Sequence, residues 1–416
     1  MHILSGRNYS EFLAVPQLVR FDMAHGASGL EPTLLVKTSS LTLKYLLKLK
    51  SFRIVVFPVD DKYVGYAVQV NDDPRSPATL WSIAESPNEI QALLALVDRP
   101  ACVVFLFNEL AVNIAWGNTN VASPNSSLAQ FLAGASVCSD SSTYRVQAGD
   151  ALDKINKGIL KPPNAFVFNI SEISEWHEIY STYITNSITP SKLSMLSANE
   201  GDQQEELALW LVDDLLLSGA VKNPRIHEVG GIRELSDLLL SYEFGCFLLE
   251  SKGLSILERG TLPERAKLTR NVIRKLKKAI SQLIGACKNL KRGLKVTDQN
   301  GREIVVERTR AVHAIVVVPD LSLLADASEF GRKALERFGS ETDSFLHILD
   351  PSELLRMVQS ARKISSLGKT TTPIMAFDYY LTERFKKALE CDSADFGMLL
   401  RIVGEKDDGT DLTQSQ

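Results

Sequence analysis

Apolar and polar positions divide the chain into two stretches of different character. Over positions 35–70 the runs LTLKYLLKL, FRIVVFPV and the alternating YVGYAVQV predict strands. After the NDDPRSP turn come ATLWSIAE, a short helix over NEIQALLALV started by Pro87 and Asn88, and the apolar runs CVVFLF and LAVNIAWG. The turn-rich NTNVASPNSS follows; KPPNAFVFNI predicts a strand after a proline break, and ITPSKLSMLSANEGD reads as a linker. The aromatics Phe52, Phe57, Tyr63, Tyr66, Phe105, Phe107 and Trp116 alternate within these runs, as core residues do.

From Glu200 onward the pattern predicts helix, strand, strand, long helix, strand, helix. The first helix runs through QQEELALWLVDDLLLSG to a stop at Gly219. Two strands, IRELSDLLLSY and CFLLESKG, are separated by EFG. PERAKLTRNVIRKLKKAISQLIGACKNLKRG is a long basic amphipathic helix with Pro263 in its first turn and Gly293 as its stop. LKVTD and EIVVERT flank an Asn-Gly hairpin signal, AVHAIVVVPD is a buried strand, and DPSELLRMVQSARKI is a helix capped by Asp350 or Ser352. The fold class is therefore α/β, with helices flanking a mixed sheet. Residues 1–195 form a mixed α/β accessory domain, 196–403 a second α/β domain and 404–416 a disordered tail.

The 416-residue length fits more than one core, and 45% hydrophobic with 23% charged residues is the composition of a globular protein. No run approaches the roughly 18 apolar residues of a membrane span, and the N-terminus lacks the layout of a secretory signal. Five cysteines stand singly without zinc-ligand spacing, which predicts buried apolar thiols in a reducing cytoplasm. The net charge of −4 is uneven: residues 259–310 carry 15 Lys or Arg against four acids. That local basic patch makes nucleic acid a partner worth testing. No GxxxxGK[ST], GxSxG or HExxH occurs, and His227 and His313 read as hydrogen-bonded strand residues.

The chemistry-bearing residues lie in the two central strands. A two-residue turn at Glu243 and Phe244 sets Asp237 opposite Glu250, whereas a three-residue EFG loop sets it opposite Ser251 unless a bulge intervenes. Like charges facing one another across a ladder are destabilising unless something neutralises them, and a divalent cation would do so. Lys252 projects from the same face as Glu250, while Ser251 points away and offers its main-chain carbonyl as a neutral oxygen ligand for Mg²⁺.

RELSDLLLSYEFGCFLLESKG resembles the core hairpin of the PD-(D/E)xK, or restriction-endonuclease-like, nuclease superfamily over about residues 200–365. Asp237 matches the Asp, and Glu250-Ser251-Lys252 the E-x-K. Departures are the absence of Pro before Asp237 and a serine after Glu250. The resemblance implies a restriction-endonuclease-like core in the second domain. It also implies a cytoplasmic endonuclease that hydrolyses DNA with Mg²⁺, or Mn²⁺, at Asp237, Glu250 and Lys252. A glutamate of the preceding helix would join the metal set; Glu206 is preferred to Glu205 because it adjoins the apolar Leu207, Trp210 and Leu211. Gln282, with Lys278 one turn earlier, would reach the phosphate backbone, and Arg274 and Lys275 belong to the wider basic set. By analogy the chain would be an antiphage or restriction effector whose N-terminal domain senses a trigger, binds a protein partner or mediates homo-oligomer assembly. The alternatives are an RNase and a catalytically silent nuclease-like binding module.

Overall fold

Local signals start and stop most helices where the pattern predicts them. Asp350 caps the Pro351–Leu367 helix by accepting the Glu353 N–H at 2.8 Å, and Gly293 ends the long helix with φ near +75°. The computed structural model describes residues 4–398 except 27–28, 74–76, 122–125, 161–164, 171–172, 174, 198, 260, 326, 369 and 397. The predicted tail at 404–416 lies outside the described residues. The architecture is α/β.

In the N-terminal half, the Leu18–Gly26 and Gly29–Lys37 hairpin extends through Ala101–Phe107, Asn113–Asn120 and His177–Glu178 into a five-stranded mixed sheet. A four-stranded antiparallel sheet runs in the order Ala78–Ile83, Tyr63–Val70, Arg53–Val59, Phe166–Asn169.

The C-terminal half is built on a five-stranded sheet ordered Val221–Lys222, Leu238–Tyr242, Gly245–Ser251, His313–Val317, Phe345–Leu349. Its first two pairings are antiparallel and its last two parallel. A parallel step needs a crossover, and the 27-residue Arg265–Lys291 helix supplies the first. Leu268, Val272, Leu276, Ala279, Leu283, Cys287 and Leu290 recur every three or four residues along that helix and are buried.

Five local expectations are corrected. LTLKYLLKL is a helix, Ser40–Leu49, because it is buried on most of its faces and so loses the single apolar stripe that marks a helix. The expected linker contains a strand, Pro190–Leu193, which pairs with Ser181–Ile184 just before it and turns Ser191 and Leu193 inward. IRELSDLLLSY is two strands in different sheets, Gly231–Glu234 and Leu238–Tyr242. EIVVERT makes only a bridge from Glu303 to Thr297, and Val305 is left almost fully exposed. Of the five cysteines, Cys391 is exposed rather than buried.

The two halves share one contiguous apolar core whose members run from Val19 to Ala388. Polar anchors cross the same junction. The Tyr45 hydroxyl donates to the Pro263 carbonyl at 2.8 Å, and the buried Lys44 amine pairs with the buried Glu200 carboxylate at 2.9 Å. Glu200 also accepts the Leu257 N–H, so one carboxylate joins the Ser40–Leu49 helix to the segment after the central hairpin. Removing one partner of a buried pair leaves the other charge uncompensated, which costs about 3–5 kcal/mol. Lys44→Met should lower the unfolding free energy measured by urea denaturation by that amount; a loss below about 1 kcal/mol would show that the junction does not depend on this pair.

Candidate active site

The hairpin closes through the two-residue turn at Glu243 and Phe244, with Tyr242 opposite Gly245 and Leu238 opposite Leu249. Continuing that register by one step sets Asp237 against Glu250, the even-turn alternative. Asp237 and Glu250 are both buried, with 6% and 2% of their surface exposed. One oxygen of Asp237 accepts the Ser251 N–H at 2.5 Å. Lys252 Nζ stands 2.5 Å from Glu250 Oε2 and 3.9 Å from Asp237 Oδ2, so the amine bridges the two acids. The Ser251 hydroxyl points the other way and donates to the Gln204 carbonyl at 3.2 Å, as strand alternation requires.

The backbone around this trio is held on both sides. The Lys252 N–H donates to the Val317 carbonyl at 3.0 Å, extending the parallel ladder past Ser251. Gly253 then passes so close to the Glu200–Val212 helix that a Cβ would come 2.6 Å from the Glu200 carbonyl oxygen. Only glycine permits that approach. It brings the first turns of the helix against the end of the strand.

The two glutamates farther along this helix meet different partners. Glu206, the expected one, is turned away: its carboxylate accepts from Lys222 and from the Ser191 hydroxyl. One residue earlier the helix has rotated by about 100°, and Glu205 feels both Asp237 and Lys252. The apolar neighbours Leu207 and Leu211 define the buried face without fixing which flanking acid points along the strand.

Glu234, which the sequence pattern did not single out, also feels Asp237 and lines a small notch with Glu250, Ser236 and Gln282. On one continuous strand, residues 234 and 237 would face opposite sides. The break at residues 235–237 removes that parity. Gln282 borders this notch together with Glu250, and Lys278 and Arg274 are exposed on the same helix. Lys275 is not: its amine donates to the Gly253 carbonyl, and burial holds its pKa below the ordinary lysine value.

Burial dominates the electrostatics of the cluster, in which Asp237, Glu250, Glu205 and Glu234 share Lys252 and Lys222. Burial and then Asp237 push the Glu250 carboxyl up to about 7. Burial and Asp237 do the same to Glu205, again to about 7. Burial raises Asp237 itself, although Lys252 and the Ser251 N–H oppose the shift. Burial works against the Lys252 ammonium, but Asp237 and Glu250 outweigh it and hold its pKa above the usual value. Asp237 Oδ1 and Glu250 Oε1 accept no hydrogen bond among the described residues. Two hard anionic oxygens therefore remain free, a donor set that suits Mg²⁺ or Mn²⁺. Among the described residues there is no ready-made group of three or more His, Cys, Asp or Glu ligands.

His313 is buried in the core and His227 is half-buried; both are hydrogen-bonded. His313 Nδ1 and His347 Nε2 are 2.9 Å apart; His313 Nε2 meets Asp378 at 3.1 Å, and Asp378 in turn accepts the Tyr242 hydroxyl at 2.6 Å. His227 Nε2 lies 3.2 Å from the Thr297 hydroxyl. No known family, characterised protein sequence or solved structure matches the chain. Among the described residues no helix is long and apolar enough to cross a membrane.

A carboxyl whose folded pKa lies above its unfolded value retains a proton in the fold after the unfolded chain has lost it. Stability then falls as pH rises through the window between about 4.5 and about 7 set by Glu250 and Glu205. In EDTA, the thermal midpoint should drop by several degrees between the two ends of that window, and Glu250→Gln should flatten the profile. A midpoint that rises with pH in EDTA would contradict this arrangement.

Proposed function

We propose that the chain is a metal-dependent phosphodiesterase that cleaves DNA through Asp237, Glu250 and Lys252. The observation that carries this reading is the convergence of two buried carboxylates and one amine at the carboxyl end of an interior strand. The order of elements supports it: a helix, an antiparallel hairpin, a long crossover helix and a parallel strand, the arrangement expected of the PD-(D/E)xK superfamily that the hairpin resembles. Asp237, Glu250 and the Ser251 carbonyl would hold Mg²⁺ or Mn²⁺, with Glu205 replacing Glu206 as the helix acid. A divalent cation bound there polarises a phosphoryl oxygen and lowers the pKa of water.

The chain's own groups do the rest. Lys252 is poised between the acids, where its ammonium can orient a nucleophile and neutralise charge that develops on the phosphate. The side-chain amide of Gln282 borders the notch beside Glu250 and can hydrogen-bond the flanking backbone.

The basic helix also sorts its charges. Lys277, Lys288 and Lys291 are paired with Glu329, Glu341 and Asp343. Arg270, Arg274 and Lys278 have no such partner among the described residues and are exposed. With Gln282 they recur every fourth residue, about 6 Å apart along the axis, and form one stripe that ends at the notch. A stripe of free cations leading to the carboxylates suits a phosphate backbone. A role as a cytoplasmic antiphage or restriction effector rests on the resemblance alone, as does a sensing, partner-binding or homo-oligomer-forming role for the N-terminal half.

Purified protein incubated with plasmid, linear DNA and RNA should cleave DNA in Mg²⁺ or Mn²⁺ and not in EDTA. Asp237→Ala and Lys252→Ala should each reduce the rate on the order of 10²-fold or more. Undiminished cleavage in both variants would overturn the assignment, and cleavage confined to RNA would change the substrate. Arg274→Ala with Lys278→Ala should weaken DNA binding and reduce the slope of log affinity against log salt by about 1 for each phosphate contact removed. Lys277→Ala with Lys288→Ala should leave that slope unchanged; the reverse result would place the nucleic acid on the other face.

A further inference from the structure

A separate cleft of about 460 Å³ opens between the two halves of the chain. Thr79, Trp81 and Arg145 line it from the N-terminal half, and Asp350, Ser352 and Arg356 from the C-terminal half. Its floor lies beyond the carboxyl ends of the parallel strands His313–Val317 and Phe345–Leu349, where open α/β sheets characteristically bind ligands. Its volume falls within the range of small-molecule sites, about 300–1,000 Å³.

The lining has an unusual charge state. Arg145 and Arg356 are exposed, approach from different halves and have no ion-pair or side-chain hydrogen-bond partner among the described residues. Two acids, Asp320 and Asp350, line the same cleft and accept hydrogen bonds from backbone N–H groups rather than from the arginines. Asp350 accepts the Glu353 and Leu321 N–H groups at 2.8 and 3.2 Å, and Asp320 accepts the Ser322 N–H at 2.8 Å. Two free guanidinium forks match phosphate oxygens. The half-buried indole of Trp81 offers a surface for a planar ring, and Thr79 and Ser352 add hydroxyl groups for a polar rim.

We propose that this cleft binds a free nucleoside phosphate, with Arg145 and Arg356 on the phosphate and Trp81 against the base. Such a ligand bridges the halves and sits over the strand whose Val317 carbonyl holds the Lys252 N–H. Binding is independent of the proposed cleavage chemistry; any effect of the ligand on cleavage rests on that reading.

The test is calorimetric titration of the full chain with AMP, ADP, ATP, adenosine and inorganic phosphate, with thermal midpoints recorded alongside. At least one nucleoside phosphate should bind and raise the midpoint, and adenosine and phosphate should bind at least tenfold more weakly. Arg145→Ala with Arg356→Ala should weaken nucleotide binding at least tenfold, whereas Asp237→Ala should leave it unchanged. No binding at millimolar nucleotide would overturn the proposal, as would binding indifferent to the arginines or binding lost in Asp237→Ala. Phosphate binding as tightly as AMP would remove the role of Trp81. Displacement of AMP by an equal concentration of a 5′-phosphorylated oligonucleotide would reassign the cleft to a nucleic-acid end.

Discussion

The repulsion between two carboxylates placed side by side inside the protein is the constraint around which the C-terminal half is arranged. Asp237 and Glu250 lie side by side past the end of a ladder, nearly out of contact with water; both pair with Lys252, and Lys222 acts on Asp237 and on Glu205 beside it. A fold selected for stability alone would place apolar residues here, since buried charges are retained at a cost. A further cation would offset that cost, and the proposed metal-dependent cleavage would supply one.

Holding that constraint in place takes several elements at once. The two-residue turn fixes the register, the parallel strand His313–Val317 anchors the backbone of Lys252, and Gly253 lets the acidic helix approach. The same helix is fastened to the N-terminal half through Lys44 and Glu200. The site and the junction between halves are therefore parts of one packing unit, joined by the shared apolar core. The free arginines of the interhalf cleft lie on this junction, one from each side.

Much of this was legible in the sequence because the relevant signals are local. Strand alternation placed Glu250 and Lys252 on one face, the count of residues across the turn offered the register now seen, and the apolar period of the long helix defined which of its faces is buried. Other features depend on contacts between distant segments. The choice between Glu205 and Glu206 rests on Lys222 and Ser191, which hold the Glu206 carboxylate from other segments and which no helical pattern records. Glu234 entered because the strand breaks before Asp237, so alternation no longer applies. Lys275 left the basic surface because its amine finds the Gly253 carbonyl. The Ser40–Leu49 helix was misread as a strand because burial on most faces removed its polar side.

Asp237 and Glu250 are proposed to form a divalent-cation site together. Titrating the metal-free full chain with Mn²⁺, followed calorimetrically and by the electron paramagnetic resonance signal of free Mn²⁺, tests it directly. Binding should be saturable, lost in Asp237→Asn with Glu250→Gln and retained in Glu206→Gln. Saturable binding undiminished in the double variant, or no binding by the parent chain, would contradict it.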